Sequence, residues 1–166
     1  MPPANEPHLA NLFGYAAGTI VFGIFLVLLL QDRAGRRLRS SPVTLASAVL
    51  ALAWNAGALA LMAVNSFPLL VLTTAAMSLL PALLLHLLLD GRRRAIIWAG
   101  YTLSAVSIVL HASEPFFTGA DLHRRTMQAT AAGFALLSAA AFLPLSRQRP
   151  KTRQAAAAMA LFLFSL

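Results

Sequence analysis

The sequence predicts an all-α fold, a polytopic bundle of transmembrane helices with five complete spans and a truncated sixth. Three observations predict it. Hydrophobic residues make up 59% of the 166 and charged ones only 11%, whereas soluble domains carry about 25% charged residues. The apolar residues fall in long runs, and about 20 such residues cross a hydrocarbon layer ~30 Å thick at ~1.5 Å per residue. The basic residues sit in short clusters between the runs, so the net charge of +8 reports topology and speaks against a nucleic-acid partner.

The first span is expected over 9–31, with no charged side chain between Glu6 and Asp32. Residues 1–10 hold no Lys or Arg, and a secretory signal needs a basic stretch ahead of its apolar run. The segment therefore reads as an uncleaved membrane helix. Spans over 43–64 and 67–89 follow, joined by a short turn at Asn65 and Ser66 that makes them antiparallel neighbours. The fourth and fifth cover 95–113 and 127–145. A sixth covers 154–166 and starts near Gln154; its apolar part is about 18 Å long, too short to cross, which suggests an N-terminal piece of a longer protein. Helices of a soluble bundle show a polar stripe at the 3.6-residue period, yet 20–30 and 81–89 are apolar nearly all round.

Charge placement sets the orientation. Arg33, Arg36, Arg37 and Arg39 follow the first span, Arg92, Arg93 and Arg94 the third, and Arg147, Arg149, Lys151 and Arg153 the fifth. The other side holds Arg124 and Arg125, diluted by Glu114 and Asp121. The Arg-rich loops are thus expected in the cytoplasm and the N-terminus in the periplasm, in a bacterial inner membrane.

Chemistry is sparse. The absence of cysteine excludes disulfides, thiolate catalysis and Cys-based zinc sites. The sequence holds no Gly-rich phosphate loop, nucleophile elbow or His-Glu-x-x-His helix, and we expect no enzyme in these residues. No Asp, Glu, Lys or Arg lies inside a span, which argues against an ion pump. His8, His111 and His123, with Glu6, Glu114 and Asp121, are expected at the outer face. There they either form a Zn or Cu site or proton sensor, or are ordinary interfacial histidines. His86 is expected near the cytoplasmic rim, bonded to a backbone carbonyl or a headgroup.

Asn55 and Ser78 are expected near mid-membrane as a cross-helix hydrogen-bonded pair, beside a kink at Pro81, which frees the carbonyl of Met77. With Trp54 they also make a possible ligand-binding set. Gly14 and Gly18 form a small-xxx-small motif that would suit a homodimer through the first helix. Tyr15 and Trp98 read as interfacial anchors.

Residues 8–18 (HLANLFGYAAG), 28–37 (LLLQDRAGRR) and 51–59 (ALAWNAGAL) resemble the multipass N-terminal region of bacterial sensor histidine kinases of the acidobacterial type. The resemblance implies further helices leading to a cytoplasmic dimerisation and ATP-binding kinase module. The phospho-accepting histidine of such kinases is typically followed by an acidic residue. Here the four histidines precede Leu9, Leu87, Ala112 and Arg124. The resemblance thus implies a membrane input domain without its output. The alternative is a self-contained membrane ligand-binding protein or carrier, and the coding sequence beyond Leu166 separates the two.

Overall fold

The computed structural model describes residues 6–34, 41–64, 66–89, 92–114 and 122–145. It is helical throughout the elements described: α1 Glu6–Ala34, α2 Pro42–Leu61, α3 Phe67–Leu89, α4 Arg94–Ser113 and α5 Leu122–Leu145. Four of them, α1 to α4, are long and apolar enough to cross a membrane. The α5 helix carries Arg124 and Arg125 in its first turn. The expected sixth span, and the basic residues at 36–39 and 147–153, lie outside the described residues.

Local signals explain the ends. Ser41 caps α2, its hydroxyl accepting from the Thr44 N–H at 3.2 Å, and Pro42 stands in the first turn. There the missing N–H costs nothing and φ is already set. The helix closes at Leu61, where the expected segment runs to Val64; Met62 and Ala63 form a turn and the Val64 N–H bonds Ala60 O at 2.8 Å. The α5 helix starts at Leu122, so His123, Arg124 and Arg125 belong to its first turn and not to a loop. No Gly or Pro lies between 120 and 132 to stop a helix.

The chain forms two compact units, Met1–Met77 and Ser78–Leu166, and α3 contributes to each. In the first unit α1 packs on α2. Gly18 of α1 and Gly57 of α2 mark close approaches: a Cβ at Gly18 would overlap the Asn55 amide oxygen, and one at Gly57 would overlap the Thr73 hydroxyl. In membranes, helix contact rests on such close packing, since lipid tails are as apolar as leucine.

In the second unit α4 packs on α5, with a core of Leu85, Leu89, Ile97 and Ala141. Gly100 sits where three helices converge. A Cβ there would lie 3.3 Å from Leu85 Cδ2, 3.6 Å from Phe134 Cε1 and 3.8 Å from Ala82 Cα. The inward face of α4 is Ile97, Gly100, Ser104, Ser107 and His111, a 3-4-3-4 spacing that keeps one stripe inside.

Candidate functional site

Several hydroxyls among the described residues are satisfied by their own helix. Thr19 donates to Tyr15 O, Ser47 to Val43 O and Thr73 to Leu69 O, each at 2.8 Å, and Thr74 donates to Leu70 O. This i−4 bond is the default for Ser and Thr in an apolar helix. Three serines in the second unit do otherwise and reach across helices.

Ser104 of α4 donates to the backbone carbonyl of Ser78 on α3 at 2.6 Å. Pro81 lies inside α3 three residues further on, and its missing N–H and bulky ring loosen the ladder there. The carbonyl that Pro81 leaves without its helical N–H is that of Met77, and Ser104 bonds the next one along. The side chain of Ser78 lies 3.3 Å from Ser107 Oγ, and Ser107 Oγ lies 3.0 Å from Thr130 Oγ1 on α5. Thr130 is also 2.7 Å from its own Thr126 carbonyl. Ser78, Ser104 and Ser107 are all at most 2% exposed.

The Thr130 hydroxyl has one proton and two acceptors. Thr130 donates either to Thr126 O or to Ser107 Oγ, and between Ser78 and Ser107 either hydroxyl can be the donor. The three helices are thus joined by a hydroxyl row with two hydrogen-bond arrangements and no net charge. Further along α5, the Ser138 hydroxyl is buried with no hydrogen-bond partner among the described residues.

Nearer the α3–α4 turn, His86 Nδ1 lies 3.0 Å from Tyr101 Oη, with the rings edge-on at 5.9 Å. Trp98 stands edge-on to Tyr101 at 6.5 Å. A tyrosine hydroxyl thus takes the place of the carbonyl or headgroup expected for His86.

The first unit has its own polar contact. Asn55 is 5% exposed and donates Nδ2–H to Ala51 O at 2.8 Å, while its Oδ1 faces the Cα of Gly18. The Gly18 hydrogen standing where a side chain would begin points at that oxygen, the geometry of a Cα–H···O contact. Beside it Tyr15 meets Trp54 edge-on at 6.3 Å. Tyr15 and Gly18 of α1 therefore pack against Trp54 and Asn55 of α2. Asn55 thus bonds within its own helix, and Ser78 lies beside Ser107 in the second unit. Gly18 is occupied by Asn55 of its own chain, and Gly14 faces open space.

His111 is buried on the last turn of α4. His8 stands on the first turn of α1 and His123 on that of α5, but the side chains of both, like Asp121, lie outside the described residues. Among the described residues no three His, Cys, Asp or Glu are placed to hold a metal ion.

Sequence reasoning missed Ser104, Ser107, Thr130 and Tyr101. One signal was there. In a helical hairpin turning at Arg93, residues equidistant from the turn meet. Tyr101 is eight residues after it and His86 seven before; Ser107 is fourteen after and Ser78 fifteen before.

No family model, no characterised protein and no solved structure matches this chain.

Proposed function

We propose that the chain is a membrane-embedded sensory input domain of a bacterial signal-transduction protein of the sensor histidine kinase kind, with no catalysis of its own. The observation that carries this reading is the hydroxyl row Ser78–Ser107–Thr130 beside Pro81. An input domain needs an element with two arrangements of similar energy that a stimulus can bias. A hydroxyl row joining three helices supplies one, because partners exchange without moving charge through lipid. Ion carriers instead place Asp, Glu, Lys or Arg at that depth, and α1 to α4 have none between 9–31, 43–61, 67–89 and 95–113. The resemblance of 8–18, 28–37 and 51–59 to such input regions points the same way.

In this reading α5 is a fifth span and 154–166 begins a sixth. The Arg-rich segments face the cytoplasm of a bacterial inner membrane and the N-terminus is periplasmic. Reporter fusions at Arg37, Arg93 and Lys151 are expected to give cytoplasmic signals, and a fusion at Gly119 a periplasmic one. A cytoplasmic signal at Gly119 would overturn the orientation. A kinase module in frame beyond Leu166 supports the input reading; a stop codon soon after a completed sixth helix supports the self-contained binding protein or carrier.

A further inference from the structure

We propose that the α3–α4 turn and the outward stripe of α4 beneath it bind one anionic phospholipid. The turn carries Arg92, Arg93 and Arg94, all exposed, against the single carboxylate of Asp90 in the same stretch. Arg93 is fixed. It adopts φ 55°, the one non-glycine residue at positive φ among the described residues, and its Nη1 donates to Ala140 O of α5 at 3.2 Å. Left-handed backbone is unfavourable for a side chain of this kind. That bond to α5 holds the turn in one shape and leaves Arg92 and Arg94 directed to the surroundings.

Arg94 and Trp98 are four residues apart and share a helix face. Trp98 is 69% exposed, yet its ring is braced by Tyr101, which in turn bonds His86. One helical turn is about 5.4 Å, close to the step from a lipid phosphate to its ester carbonyls. The arginines thus stand at the depth of the phosphate and the indole N–H at that of the esters, where Trp concentrates in membranes. Below Trp98 the exposed stripe continues as Thr102, Ala105 and Val109. The two small residues leave a shallow track along which an acyl chain can lie. Charge, aromatic edge and apolar track follow one another in the order of a phospholipid's own parts. This site is separate from the hydroxyl row and does not depend on the sensory reading.

The test uses the 166-residue chain carrying Trp54→Phe, so that Trp98 is the sole indole, in phosphatidylcholine vesicles containing brominated lipid. Brominated phosphatidylglycerol is expected to quench Trp98 more strongly than brominated phosphatidylcholine at equal mole fraction, with a preference of about fivefold for each arginine engaged. Arg92→Gln with Arg94→Gln should remove the preference. Both residues are exposed, so the fold should be retained, and Arg93 is left in place. Inorganic phosphate should not displace the lipid. Native mass spectrometry of the wild-type chain, which needs no substitution, should show phosphatidylglycerol retained over phosphatidylcholine. Equal quenching by the two lipids, a preference that survives the double substitution, or displacement by phosphate would each overturn the proposal.

Discussion

Gly18→Ala is expected to destabilise the packing of α1 on α2 by about 1–3 kcal/mol, the usual cost of overpacking, whereas Gly14→Ala should change stability by less than about 0.5 kcal/mol. The added methyl would stand 2.6 Å from Asn55 Cγ as well as overlapping the amide oxygen. Moving the amide aside breaks its bond to Ala51 O, at a position only 5% exposed. The whole side chain must therefore yield, or the helices must part. Combining Gly18→Ala with Asn55→Ala should recover most of the loss, because the clash and the amide are removed together. Thermal unfolding of the purified protein in detergent measures all three variants against the wild type. Equal midpoints for Gly18→Ala and wild type would show that the Gly18–Asn55 approach is not as described.

Ser107→Leu should be at least as damaging. Ser107 is 2% exposed and lies within hydrogen-bond distance of Ser78 and Thr130. Leucine removes both bonds, at about 0.6–1.7 kcal/mol for a polar contact between membrane helices. It also adds bulk to a filled position, at about 1–3 kcal/mol. Ser107→Ala should show the first cost alone, since Thr130 keeps its bond to Thr126 O. The same unfolding assay separates the two. If Ser107→Leu were as stable as Ser107→Ala, the position would have room that the structure does not give it.

The helices were legible where an apolar run has charges or turn residues at its ends. The first and third spans start or stop where composition changes abruptly, at Asp32 and at Phe67. The ends of α2 and α5 were not marked in this way. Met62, Ala63 and Val64 are as apolar as the helix before them, so hydropathy cannot show that the chain has begun to turn. At the start of α5, His123, Arg124 and Arg125 look like loop residues although they continue a helix.

Polar contacts were legible only when rare. Asn55 stood out as the one amide between 42 and 61, and the structure gives it a buried role. Its partner was not legible: a Gly-xxx-Gly spacing shows where a helix can be approached but not by which helix. Serines in an apolar helix are too common to single out one by one. The informative pattern was the 3-4-3-4 run of Ile97, Gly100, Ser104, Ser107 and His111, a stripe rather than a residue. His86 was seen as a rim histidine, and Tyr101 follows only from folding the hairpin about Arg93.

The sensory reading makes the hydroxyl row a switch as well as a fastening. The direct measurement is autophosphorylation of a cytoplasmic histidine kinase module joined behind residue 166, compared among wild type, Ser107→Ala and Thr130→Val at equal membrane levels. Removing a hydroxyl deletes one of the two arrangements, so both variants are expected to shift basal kinase output several-fold, about 1 kcal/mol of bias being roughly fivefold in the equilibrium. Unchanged output in both variants, from protein that is folded and in the membrane, would contradict the account and leave the row as structural packing alone.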